Sequence, residues 1–135
     1  YEEFVRKFEK LNAGLKSRRY LVNYFISAHP GSRLGDALSF ARTLLSRRMR
    51  PEQVKDFLPL PMTVSGCMHH TGVDPLTGKS VFVARDFNER AMQRALIQSQ
   101  NESNRPLIKK ALHLLGQGEL IGQFAGYKSG PKRKK

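Results

Sequence analysis

Apolar residues in the first half of the chain recur with clear periods. Phe4, Val5, Phe8, Leu11 and Leu15 fall at helical spacing, with Glu2 and Glu3 early, Lys7 and Lys10 late, and Gly14 as a stop. This pattern predicts an amphipathic helix over about 2–13. Tyr20 to Ser27 is aromatic and β-branched with almost no polar interruption, which predicts a strand covered on both faces, as in a parallel sheet. Ala28-His29-Pro30-Gly31-Ser32 is turn chemistry leading to Ser32 as an N-cap. Leu34, Ala37, Leu38, Ala41, Leu44 and Leu45 then mark a helix over about 33–47, and Arg50-Pro51 ends any continuation. Gln53 to Leu58 reads as a second short strand that fades at Pro59 and Pro61. Strand, helix and strand at this spacing form a βαβ unit, with parallel strands and a right-handed crossover.

The second half is patterned differently. Residues 59–78 are rich in Pro, Gly, Thr and His without periodicity, and predict a long loop. Asp74 to Gly78 reads as a turn and Ser80 to Val83 as a short strand. Asp86 and Glu89 have capping-box spacing and open a helix with Phe87, Ala91, Ala95 and Leu96 on one face. Asn104 caps a last helix with Leu107, Ile108, Ala111, Leu112 and Leu115 on its apolar face, stopped by Gly116. There is no internal repeat. The expected class is α/β: a βαβ unit followed by a small, loop-rich, mainly helical C-terminal extension.

Composition narrows the function classes. The 135 residues are 39% hydrophobic and 26% charged, enough for one domain with a real core. No run approaches the roughly 18 apolar residues of a membrane span, and no secretory signal pattern is present, so a soluble, cytoplasmic chain is expected, with no membrane partner. The chain starts at Tyr1 inside a helical pattern, which suggests part of a longer protein. The single cysteine, Cys67, excludes an internal disulfide framework, and an iron–sulfur cluster held by this segment alone.

The net charge of +13, from 24 Lys+Arg against 11 Asp+Glu, changes the picture less than its size suggests. Five basic residues lie in 128–135, within a segment 126–135 expected to be a basic disordered tail. Arg42, Arg47, Arg48 and Arg50 fall at the end of one predicted helix, and Lys16, Arg18 and Arg19 follow another, where cations meet the carbonyl end of the helix dipole. A polyanion is a candidate partner through the tail, and a basic nucleic-acid or ribosome binding module is the alternative function. No aromatic ladder interleaves the basic residues, as single-strand binders require.

Candidate chemistry gathers in two places. A βαβ unit presents its functional groups at the C-terminal ends of its strands, here Ser27 to Ser32. His29 is suited to act as ligand, base or hydrogen-bond donor, Gly31 permits close backbone approach, and the N–H groups after Ser32 suit a carboxylate or phosphate. The plain alternative is that Pro30-Gly31 shapes a turn and His29 closes a strand. The second place is Cys67-Met68-His69-His70, one thiol and two imidazoles that are weak candidates for a Zn²⁺ site or a Cys–His pair. Its alternative is a small buried cysteine beside two solvated histidines; His113 reads as solvated too. Gly78-Lys79-Ser80 is not a P-loop: Val73 stands where the upstream glycine belongs, and a predicted strand follows instead of a helix.

The runs Tyr20-Leu-Val-Asn-Tyr-Phe-Ile-Ser-Ala-His-Pro-Gly-Ser32, Arg50-Pro-Glu-Gln-Val54, Cys67-Met-His-His-Thr-Gly-Val-Asp-Pro75, Val81-Phe-Val83 and Ala91-Met-Gln-Arg-Ala-Leu96 together resemble the YgiQ-type radical S-adenosylmethionine family, over about residues 1–122. The resemblance implies the C-terminal portion of a larger enzyme. An upstream half-barrel would carry a Cys-x3-Cys-x2-Cys loop holding a 4Fe-4S cluster and S-adenosylmethionine, whose reductive cleavage gives a hydrogen-abstracting 5′-deoxyadenosyl radical. Residues 1–60 would then be the last helix–strand–helix–strand portion of a TIM-like partial barrel, partnered by the rest of that barrel, and 61–125 the family's C-terminal domain. Ser27, His29 and Gly31, in a match to Ser-Ser-His-Pro-Gly-Ser/Thr with Ala28 in place of the second serine, become candidate S-adenosylmethionine or substrate contacts. Cys67 falls where the family has a cysteine, whereas His69 and His70 stand where it often has aromatic residues. The cluster ligands are absent from this sequence, so the segment alone is expected to bind neither cofactor and to be inactive.

Overall fold

Two helices with small residues on their facing sides organise the molecule. The computed structural model describes residues 1–17 and 19–125, so Arg18 and the basic segment 126–135 lie outside the described residues. In chain order the elements are α1 (Glu2–Ala13), β1 (Tyr24–Ser27), α2 (Leu34–Ser46), β2 (Gln53–Asp56), α3 (Val64–Thr71), α4 (Phe87–Ile97), α5 (Arg105–Leu114) and α6 (Ile121–Ala125). Single 3-10 turns at Glu102–Asn104 and Gly118–Leu120 lead into α5 and α6. Ala37 and Ala41 of α2 meet Ala95 of α4, and Ala111 of α5 joins the same cluster, so the helices approach closely. Leu38, Met92, Leu96, Ile108, Leu112 and Phe124 fill the space between them. Leu96 and Leu112 are completely buried, each stabilising the fold by about 1.5–3 kcal/mol.

β1 and β2 pair in parallel, Tyr24 opposite Gln53 through Ser27 opposite Asp56, with α2 as the crossover. The βαβ unit is therefore present, but each strand has four residues. β2 is preceded by Pro51, which lacks an N–H, and the paired register starts only at Tyr24 despite the strand-like composition of the residues before it. On one face Phe25 and Val54 pack with Leu44, Met49 and Ile97. The other face is open: Tyr24 is 57% and Ile26 52% exposed. The two-sided cover expected of this strand exists on one side only among the described residues. The stripe of α1 is bare as well, with Phe4 and Leu11 exposed.

Several local expectations need correction. Residues 59–78 are not one loop, because 64–71 form α3. Thr63 caps it by accepting from Gly66 N at 3.0 Å, and Gly72 ends it at φ +71°, donating to Met68 O. At eight residues, α3 is too short for periodicity to reveal. Ser80–Val83 is not a strand: only Val73 and Ser80 form an antiparallel bridge, and the next donors and acceptors go elsewhere, Val81 N to Gly72 O and Gly31 N to Phe82 O. The N-cap of α2 is Arg33 rather than Ser32, with the Asp36 carboxylate accepting the Arg33 N–H at 2.8 Å. In α4 the Asp86 cap holds, accepting from Glu89 N, and Ala91, Ala95 and Leu96 are buried, but Phe87 points to solvent. Asn104 precedes α5 without capping it, and its amide donates to Gln98 O. Gly116 does stop α5: at φ +66° it lets Gly116 N reach His113 O and Gln117 N reach Leu112 O, both bonds of a Schellman motif.

Candidate functional site

Parallel strands end together, and the register puts Ser27 and Asp56 side by side at the C-terminal edge. Ser27 is 2% exposed, and its Oγ donates to Asp56 Oδ1 at 2.8 Å. The other Asp56 oxygen pairs with Arg94 from α4. Phe57 N extends the ladder one step to Ser27 O at 2.8 Å.

The chain then turns sharply. Ala28 is held at φ +55° and Gly31 at φ +95°, left-handed conformations that cost a non-glycine residue such as Ala28 about 1 kcal/mol or more. Between them His29 is half-buried. Its Nδ1 lies 2.9 Å from Pro30 O; a carbonyl only accepts, so Nδ1 carries the hydrogen. Its Nε2 lies 3.0 Å from Ser65 Oγ at the start of α3, and in the neutral ring Nε2 accepts from that hydroxyl. The imidazole also stands edge-on to Phe57, with ring centroids 4.9 Å apart. Phe57 in turn contacts His69 at 5.7 Å, so one phenyl ring sits between two imidazoles.

An open groove of about 400 Å³ runs from this edge down the bare face of the sheet. Tyr24, Ile26 and Lys55 form its floor, His29 and Ser65 its upper end, and Leu58 and Leu60 its apolar wall. Of the predicted contacts, His29 lines this groove. The Ser27 hydroxyl is turned to Asp56, and the Gly31 N–H is engaged by Phe82 O at 2.7 Å.

Cys67, His69 and His70 share α3 but not a direction. Cys67 and His70 are exposed, whereas His69 is half-buried against Phe57. Among the described residues no three His, Cys, Asp or Glu side chains are grouped to hold a metal ion. Burial lowers the His69 pKa below its ordinary 6.5, and the charges of Arg85, Arg90 and His70 add to the effect. Arg85 is fixed there by donating to His69 O and His70 O, both at 3.0 Å, across the carbonyl end of α3. Asp74 opens the following turn, and hydrogen bonds from Thr77 Oγ1 and Leu76 N hold its carboxyl below the usual carboxylate range. Of the basic clusters, the Arg47 guanidinium pairs with Glu2 at 2.8 Å, whereas at Arg19 it is the backbone N–H and C=O that form a double hydrogen bond with the Asn12 side chain.

The sequence pattern does not single out Phe57, Ser65, Asp56, Arg94 or Gln93. Phe57, Asp56, Ser65 and Gln93 touch the turn or the strand end from positions 28–61 residues away, which no local motif encodes. The one usable signal was Thr63-x-x-Gly66, a capping pattern that announces α3 and brings Ser65 with it.

The sequence model of DUF3362, a domain of unknown function, matches residues 52–127. Among curated proteins, a UPF0313 protein of Methanosarcina mazei is 45% identical over 122 residues, covering 90% of this chain and 20% of its own length. One from Methanosarcina acetivorans is 46% identical, with 90% and 16% covered, and one from Clostridium perfringens is 42% identical over 132 residues, with 98% and 19% covered. This chain thus spans about one-fifth of the length of the curated relatives it matches. No solved structure matches it. No helix among the described residues is long and apolar enough to cross a membrane.

Proposed function

Because this chain belongs to the UPF0313 (YgiQ) family and is a small part of its relatives' length, we propose that it is the C-terminal part of a radical S-adenosylmethionine enzyme, completing a partial barrel whose other strands lie upstream. One observation carries the reading furthest. A parallel sheet is normally covered on both faces, yet here helices cover one face, and the other shows Tyr24, Ile26 and Lys55 to solvent. In a barrel of parallel strands the helices form the outer ring, so the helix-free face is the inner one. On this reading the groove opens into the barrel interior, and His29 stands at its mouth, at the strand ends where barrel enzymes work.

The chain's own residues fit one of the two implied groups. A 4Fe-4S cluster needs about four ligands, and with a single cysteine this segment does not fit it; its thiolates belong to another part of the protein. S-adenosylmethionine fits better. With the Ser27 hydroxyl and Gly31 N–H engaged internally and both His29 nitrogens held by Pro30 O and Ser65 Oγ, contacts fall to the edge of the His29 ring, to Tyr24 and Ile26 for an apolar surface, and to the Lys55 ammonium for a carboxylate. When bound beside the cluster, that molecule supplies a one-electron route to hydrogen abstraction. Leu58 and Leu60 would offer it an apolar wall. A full-length protein, reconstituted anaerobically with iron and sulfide, is expected to show cluster absorption and to cleave S-adenosylmethionine. A properly clustered protein that leaves S-adenosylmethionine intact overturns the proposal.

A further inference from the structure

Besides its internal bonds, Ser32 N to His29 O and His29 Nδ1 to Pro30 O, the 28–33 turn is held from residues between 57 and 93. Ser65 of α3 bonds His29 Nε2, Phe82 O accepts the Gly31 N–H at 2.7 Å, and the Gln93 amide of α4 donates to Ser32 O at 3.1 Å. Arg33 lies 4.5 Å over the Phe82 ring, and Phe57 packs against the His29 imidazole. Gln93 is 1% exposed, so its amide is a buried polar group whose bond to this turn is its means of satisfaction. All of these partners lie between 57 and 93, inside the matched region 52–127. The Pro30-Gly31 turn is closed by its own Ser32 N to His29 O bond at 2.8 Å, but Ala28 beside it is held left-handed at φ +55°, and anchors from three separate segments add to what the local backbone supplies.

We propose that the domain of unknown function serves as a clamp that positions His29 at the strand edge, with Ser65 and Gln93 as positioning residues. The inference deepens the reading of the groove as an enzyme site and rests on it for its purpose, not for its geometry. Pro30 O takes the Nδ1 hydrogen and so sets the tautomer, while the clamp's Ser65 hydroxyl, facing Nε2, fixes the orientation of the ring. An imidazole so held presents its edge to the groove in one arrangement before any ligand arrives.

The test is the nitrogen-15 spectrum of histidine-labelled protein, at a pH above the imidazole range where the ring is neutral. His29 is expected as the Nδ1–H tautomer. Ser65→Ala removes the hydroxyl at a helical position that favours alanine, and should shift the His29 Nε2 resonance as its hydrogen bond is lost, with Ser65→Thr restoring it. Gln93→Met, which keeps the bulk of the side chain but loses its donor, should speed exchange of the Gly31 and Ser32 amides and shift the His29 resonances, giving a second route if either variant folds poorly. A His29 spectrum unchanged in both folded variants overturns the clamp. The measurement uses no cofactor: a protein that fails to cleave S-adenosylmethionine refutes the enzyme reading and leaves the clamp intact, and the reverse result refutes the clamp alone.

Discussion

Gly66 and Gly35 both sit in the first turn or two of a helix, yet alanine should act on them in opposite directions. In an exposed helical position Gly→Ala stabilises by about 0.5–1 kcal/mol through propensity. At Gly35 a new Cβ meets nothing within 4 Å, so that gain is realised. At Gly66 the same Cβ falls 2.3 Å from Leu60 O and 2.8 Å from Thr63 Oγ1, where real Cβ contacts essentially never come below 3.0 Å. The closer atom is a backbone carbonyl that accepts from Thr63 Oγ1 at 2.8 Å, so relief must move the 60–63 loop and the cap together. Overpacking of this kind costs about 1–3 kcal/mol and loss of the cap about 1 kcal/mol, against which the propensity gain is small. Gly66→Ala should therefore lose about 1–3 kcal/mol in urea unfolding, with the Cys67 and Gly72 amides exchanging faster, while Gly35→Ala gains a few tenths to 1 kcal/mol. Equal stabilisation by both substitutions would refute the close approach of loop and helix.

Leu112→Ala, at a fully buried position between α2, α4 and α5, should cost about 2–5 kcal/mol, read as a lower urea midpoint at unchanged slope. Asp56→Ala strands the buried Ser27 hydroxyl and the Arg94 guanidinium and should cost about 1–3 kcal/mol, whereas Asp56→Asn keeps an acceptor for Ser27 and should cost less. His69 is harder to protonate folded than unfolded. Its contribution is therefore complete above about pH 6.5 and lost as pH falls toward its depressed folded value, so the Phe57 contact should loosen on mild acidification, visible in the proton shifts of both rings; His69→Phe should abolish that step. Asp74 has the opposite kind of group and the same direction. Its depressed pKa keeps the turn bonded above the ordinary carboxylate value, and the Leu76 amide signal should move only as pH falls below about 3.8.

Long periodic segments announced themselves. α1, α2, α4 and α5 follow from spacing alone, since 10 or more residues in one helix repeat their apolar face often enough to be read. Short elements did not. α3 buries no side chain fully and has no stripe, and the strand expected at Ser80–Val83 uses its backbone groups on Gly72 and Gly31 because, among the described residues, only the Val73–Ser80 bridge lies beside it. At the site, His29 could be named from its place at a strand end. Its partners could not, because Ser65 lies 36 residues away and Phe57 reaches it through tertiary packing, as Gln93 reaches the neighbouring Ser32 carbonyl. Ser27 shows the converse limit: its motif is legible, but only the parallel register reveals that Asp56 has claimed the hydroxyl.

The bare sheet has a consequence for how this chain behaves in a tube. A two-stranded sheet offers two unpaired edges, the template that drives strands of separate molecules to stack. Here that hazard is blunted by Lys55 on the open face and by Pro59 and Pro61 beyond β2, which stop an incoming strand from extending the ladder. Four-residue strands leave little length to nucleate on. Neutralising Lys55 would remove one of these guards and leave the open face more self-adhesive.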